Sequence, residues 1–212
     1  MRNLVRNLTF GFRLLGKNLG FTSVALLALV LGIGANTAIF SVVYATLLSP
    51  MPYPNPDQLV MVWSKVNGNR NGVSAGDFLD WKRQSSAFQS ICAWTGGNYT
   101  LTGSDHPEQI QTRVETPGFN DMVGTPFSLG RDFLPEEGQV GRDRVVIMTN
   151  KLWRERFGSD REIIGKSIRL NGENHTVVGV LAAGQPDRLE SHLFVPLAFK
   201  PEQINHDFIL FW

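Results

Sequence analysis

The first 56 residues contain no aspartate or glutamate, and from Asn18 to Pro56 there is no charge of either sign. A stretch that long without charge is poorly suited to a water-facing surface. Cysteine is nearly absent too: Cys92 stands alone, which excludes an internal disulfide and reads as a small buried residue. The four histidines, His106, His175, His192 and His206, lack the i, i+4 or Cys-paired spacing of metal sites. No Ser/His/Asp set can be singled out for nucleophilic catalysis. After residue 56 all 19 acids face 16 of the 20 bases, so no basic face of the kind nucleic acid needs is present.

What is there begins with the uncharged run itself. Phe21–Leu48 is apolar over more than the roughly 20 residues a helix needs to cross a bilayer. The only charges before it, Arg2, Arg6, Arg13 and Lys17, are all basic, which sets the N-terminus on the cytoplasmic side and the rest of the chain outside. A cleaved signal peptide is the rival. Its apolar core is typically about 7–15 residues and ends in a small-x-small site, whereas this run is longer and has no Ala-x-Ala near its end. Ahead of it, Leu4, Val5, Leu8, Phe12, Leu15 and Leu19 recur at helical steps with the four bases elsewhere around the turn. That pattern predicts a helix lying in the membrane interface over residues 1–18, ended near Asn18 and Gly20. The spanning helix and a short stalk then occupy residues 19–50, with Thr22 or Ser23 as cap. Within it Ala25, Ala28, Gly32 and Ala35 form a stripe at helical spacing, the small-residue face on which helices pack in lipid.

The outer region, residues 57–212, reads as mixed α and β. Gln58–Lys65 has the composition of a strand and Asn67–Gly72 that of a loop. Ser74 and Asp77 form a capping box for a helix carrying Phe78, Trp81, Phe88 and Ile91 on one face. Strands follow at "NYTLTG" and "EQIQTRVE", then a short helix with Thr116 as cap and Pro117 at its first position, ending at Gly124. "RVVIM" is a buried strand, leading into a helix through Leu152, Trp153 and Phe157 that stops at Gly158. Ser167–Leu181 is a hairpin turning at Asn171-Gly172, and "LFVPLAF" is a last strand.

Two signals for chemistry fail on their own terms. "IIGKS" ends like a phosphate loop, but that loop needs glycine where Asp160 stands, and a strand rather than a helix follows it. The pairs Glu136-Glu137 and Asp105-Glu108 lie in loop-like contexts and read as solvated charge. The sequence therefore predicts no enzyme, no metal and no cofactor of its own.

Several blocks together carry a family likeness. Phe21–Val60, Gly76–Ile91 ("GDFLDWKRQSSAFQSI"), Leu129–Glu137 ("LGRDFLPEE"), Val145–Asp160 ("VVIMTNKLWRERFGSD") and Ile163–Leu181 ("IIGKSIRLNGENHTVVGVL") resemble, in order and spacing, the permeases of MacB-like ABC transporters within the FtsX-like permease superfamily. The large permeases of Acidobacteria are the most similar group. The resemblance implies an α+β fold: an interfacial helix, one transmembrane helix, and a mixed α/β periplasmic domain with a porter-like part and an inserted β-rich part. It also implies a bacterial inner-membrane protein that works as a permease dimer with a separate cytoplasmic ABC ATPase. ATP-driven motion would be coupled to periplasmic export, efflux or mechanotransmission. Against that pattern the chain reads as an N-terminal fragment, its periplasmic core domain incomplete at the C-terminal end. The alternative is a single-pass, membrane-anchored periplasmic binding module independent of an ATPase.

Overall fold

A computed structural model describes residues 15–44, 53, 55–102, 107–184, 191–204, 206 and 209–211. It divides into two compact units, Met1–Met51 and Pro52–Trp212. The fold is α+β: an apolar helix in the first unit and a sheet-rich second unit.

The first unit holds helix α1, Leu19–Val43, of 25 residues, which at 1.5 Å per residue is about 37 Å long. It is the one helix among the described residues long and apolar enough to cross a membrane. The chain is already helical at residues 15–17, and the break falls at Asn18, whose φ −120°, ψ 63° is not helical. Asn18 makes no side-chain cap. Thr22 and Ser23 are not caps either: their hydroxyls donate to the carbonyls of Leu15 and Leu19, both at 2.8 Å. In an apolar helix this back-bonding satisfies hydroxyls that would otherwise lack partners. The basic residues Arg2, Arg6 and Arg13 and the periodic residues around them lie outside the described residues; Lys17 is exposed.

After a short helical turn at Pro56–Gln58, the second unit forms a small hairpin, β1 (Ser64–Val66) and β2 (Asn69–Asn71). The expected strand at Gln58–Lys65 is thus mostly absent, and the expected loop at Asn67–Gly72 is half strand. The reason is local. Asn67 (φ 50°) and Gly68 (φ 83°) take the left-handed pair of a tight hairpin turn, which pulls pairing downstream. β3 (Val73–Ser74) leads into helix α2, Ala75–Gln84. The capping box holds, with the Asp77 amide donating to Ser74 Oγ at 3.1 Å. The helix ends before Phe88 and Ile91, so those residues do not share its face.

The main sheet has seven strands: β4 (Trp94–Thr102), β5 (Glu108–Glu115), β6 (Phe127–Gly130), β7 (Val145–Met148), β8 (Ser167–Leu170), β9 (Glu173–Leu181) and β10 (Leu193–Pro196). Their order is β6-β9-β7-β10-β5-β4-β8, and β8 pairs with β9 as well, so β9, β7, β10, β5, β4 and β8 form a closed ring. The β8–β9 hairpin turns at Asn171 (φ 50°) and Gly172 (φ 83°), as the Asn-Gly pair predicts. Asn171 also fastens the ring: its amide donates to Thr100 O at 2.9 Å and its side chain accepts from Thr100 N at 2.8 Å.

Every ring strand contributes to one apolar cluster. Ile110, Val146, Met148, Ile168, Leu170, Val177, Val180, Leu193 and Val195 are its buried strand members, with Tyr99 and Leu101 of β4 packed against them. Helix α4, Asn150–Phe157, adds Leu152, Trp153 and Phe157. Thr149 caps α4, a feature the sequence reading did not name, and Gly158 (φ 57°) ends it as expected. A register shift between β7 and β9 lets Val177 and Val180, three apart, face the same core. The opposite face carries Phe133, Ile147, Val178, Leu181 and Phe194.

Two glycines set how closely β6 crosses β9. Gly130 (φ 72°) and Gly179 are ladder partners. A Cβ on Gly130 would lie 2.1 Å from Val178 O, and one on Gly179 would lie 2.5 Å from Arg131 O. The sequence gives no sign of β6, which delivers Arg131 and Asp132 to the sheet.

The short helix α3, Phe119–Met122, starts later than expected, with Gly118 (φ 88°) at its cap position. Thr116 does a different job: its hydroxyl accepts from Ala93 N at 3.0 Å, tying β5 to the start of β4. Strand β11, Ile209–Phe211, pairs with β3.

Candidate functional site

The stripe predicted for helix packing lies on α1. Ala25 is half-buried, and Ala28, Gly32 and Ala35 are exposed. No atom lies within 4 Å of a Cβ built on Gly32. The four residues fall within about 80° of one another around the helix at 100° per residue. The geometry thus gives a narrow small-residue face with nothing on it among the described residues.

The sequence does not indicate the main polar feature of the second unit. At the end of β5, Glu115 is fully buried and accepts from Arg113 Nε at 2.6 Å and Asn120 Nδ2 at 2.6 Å. Asn120, itself fully buried on α3, reaches Asp132 Oδ1 with the same nitrogen at 3.0 Å. That oxygen further accepts from the Phe133 amide at 2.8 Å. Arg113 lies between two rings, its guanidinium 4.6 Å from Phe119 and 4.7 Å from Phe194, so cation–π attraction holds it in place. Burial pushes the Glu115 carboxyl up to about 7, against the pull of Arg113.

Next along the chain, Arg131 grips Glu137 through two parallel bonds of 2.9 and 2.7 Å. The Leu134 amide donates to Glu137 at 2.7 Å. Burial works to raise Glu137, but the Arg131 and Leu134 bonds outweigh it and hold the carboxyl below its ordinary range. Glu137 is only 7% exposed. This corrects the expectation of solvated charge at Glu136-Glu137: Glu136 is exposed, while Glu137 is a buried anchor. The available signal was "GRDFLPEE", where an arginine and a glutamate flank a proline-started turn.

Other candidates resolve into structural roles. Lys166 of "IIGKS" pairs with Asp160 at 2.6 Å, the very residue that replaces the phosphate-loop glycine. Cys92 is half-buried beside Ser90 rather than in a core. Gly72-Val73-Ser74-Ala75-Gly76 has Gly-x-Ser-x-Gly spacing between a strand and a helix, a signal the sequence reading missed. Ser74 nonetheless has an ordinary extended backbone (φ −68°, ψ 157°), is buried, and donates to Asp77 Oδ2 at 2.7 Å. His206 bonds to the other Asp77 oxygen at 2.8 Å, so Asp77 lies between the two side chains and links both to a helix cap. A groove of about 740 Å³ runs between β5 and α4, with Glu108, Lys151, Glu155 and Arg156 balancing in charge and Arg156 paired to Glu108. Among the described residues no group of three or more His, Cys, Asp or Glu is placed to hold a metal.

Comparison with known proteins gives the fold its relatives. The macrolide export ATP-binding/permease protein MacB of Bdellovibrio bacteriovorus is 24% identical over 212 residues, covering 93% of this chain and 32% of its own length. The chain thus spans about a third of that curated relative. The extracellular domain of the noncanonic ABC-type transporter YknZ from Gram-positive bacteria superposes with a TM-score of 0.50 at 18% identity, over 64% of this chain and 70% of that one. The periplasmic region of MacB from Actinobacillus actinomycetemcomitans gives 0.47 at 16% identity, over 65% and 57%. The MacB-like periplasmic core domain model matches residues 22–210, and the chain belongs to that family.

Proposed function

We propose that this chain belongs to the permease of a MacB-like ABC transporter, with α1 crossing the inner membrane and residues after about 50 on the periplasmic side. The observation that supports it most is the continuous family match over residues 22–210, which takes in both the apolar helix and the sheet domain. In this reading the small-residue face of α1 meets another helix of the permease, and the chain works as a dimer with a separate cytoplasmic ATPase that uses ATP. The chain itself performs no catalysis and holds no cofactor. Its role is to carry motion from the membrane to the outer domain for export or mechanotransmission.

Two measurements test this. A membrane-impermeant thiol reagent applied to intact spheroplasts should label Asn69→Cys and not Asn3→Cys, each in a Cys92→Ser background. Labelling of Asn3→Cys alone reverses the topology. Affinity purification from native membranes should bring down an ABC ATPase and a second copy of the chain. Recovery of the chain without any ATPase favours the single-pass module instead.

A further inference from the structure

The polar cluster at the end of β5 has more acceptors than donors. Glu115 and Asp132 bring four carboxyl oxygens and Asn120 brings a fifth. The donors are Arg113 Nε, Asn120 Nδ2 and the Phe133 amide. Two buried oxygens, Asn120 Oδ1 and Asp132 Oδ2, have no partner. A buried acceptor without a donor is costly, and one extra hydrogen would relieve the shortage.

The charges point the same way. Arg113, on the same strand as Glu115, is the cation that faces it. Asp132 faces it from the segment after β6, and from α3 it is neutral Asn120 that does so. Across the ladders stand Trp94 of β4 and Pro196 of β10, neither of which titrates. Arg131 donates to the Asp132 carbonyl at 2.8 Å, but its guanidinium is held by Glu137. One guanidinium against two carboxylates leaves one negative charge over, in a place shielded from water. The two rings around Arg113 keep it from swinging to share itself between them.

We infer that Glu115, Asn120 and Asp132 form a proton-dependent clamp: one proton shared in the cluster holds α3 between β5 and Asp132, and its loss lets α3 go. The raised affinity of Glu115 for a proton agrees with this. Residues 131–137 stay on the sheet through buried Phe133 and the Arg131 amide on Val178 O, whereas α3 is lightly held. α3 has four residues, is entered through a left-handed glycine, and joins the sheet through Phe119 and Asn120. With both carboxylates ionised, the Asn120 nitrogen is the donor they share. The clamp does not depend on the transport reading, since it is a property of this domain alone.

Hydrogen exchange read by mass spectrometry on the full chain in detergent tests it. Rates at pH 5.5 and 8.5 are each divided by the chemical exchange rate at that pH. Amides of residues 118–125 should open at least tenfold more at pH 8.5, while β6, β7 and β9 keep their protection. Glu115→Gln, neutral at both pH values, should bring the ratio below twofold. Asp132→Asn removes the same excess charge from the other side and should do likewise, which decides the matter if the first variant does not fold. A wild-type protein with no pH response in this segment overturns the clamp. So does a response that persists in either folded variant.

Discussion

At Gly172 and Gly179 the same substitution meets two different obstacles. Gly172 has φ 83° with open space around its missing Cβ, so Gly172→Ala meets backbone strain alone, about 1 kcal/mol. Gly179 has a carbonyl oxygen 2.5 Å from the position of that Cβ, so Gly179→Ala forces β6 off β9 and costs about 2 kcal/mol. Urea unfolding of the two variants in detergent checks the order; equal midpoints refute it. Glu137→Ala removes a buried carboxylate from a bidentate arginine and leaves the Leu134 amide without its acceptor. Arg131 is exposed enough to be rehydrated, so the expected loss is about 2 kcal/mol, read in the same way. Of these features only the Gly172 turn was visible in the chain alone. Glycine spacing reveals a turn when asparagine precedes it, as at Asn171, but says nothing of a second strand crossing overhead.

Elements were legible in proportion to how local their causes are. α1, α4, the β8–β9 hairpin and the α2 cap all rest on residues within a few positions of one another, and the structure has them. β6 depends on a distant partner, β9, and leaves no local mark. Glu115 itself sits in a strand whose alternation shows which residues share a face. It does not show that the other face is also covered. For α1 the local evidence is the stripe of Ala25, Ala28, Gly32 and Ala35. A photoreactive residue placed at Ala28 or Ala35 in native membranes should crosslink to protein, whereas one at Val30, on the opposite side of the helix, should label lipid. Equal lipid labelling at all three positions means the stripe is not a contact face.

Over the whole molecule the buried acids shape how stability varies with pH. Glu115 binds its proton more tightly folded than unfolded, so stability is greatest while it is protonated. That contribution declines as pH rises from about 4.5 to about 7 and is flat above, a change of up to about 3 kcal/mol at 1.36 kcal/mol per pKa unit. Glu137 has the opposite sign: its carboxyl is held low, so its contribution is complete above about 4.5 and is lost as pH falls further. Together they place the maximum in mildly acidic solution. Thermal unfolding between pH 4 and 9 should show it, and Glu115→Gln should flatten the alkaline limb without moving the acid one. The closed ring has a mechanical consequence. A sheet with a free edge comes apart like a zip, one rung after another from its border. A hoop offers no border, so a pull on any of its six strands must break both flanking ladders at once, and the shortest ladders are β4–β8 and β7–β10, two pairs each, the first of them reinforced by Asn171. Under load this domain should open first at one of those two short seams rather than along its long ladders.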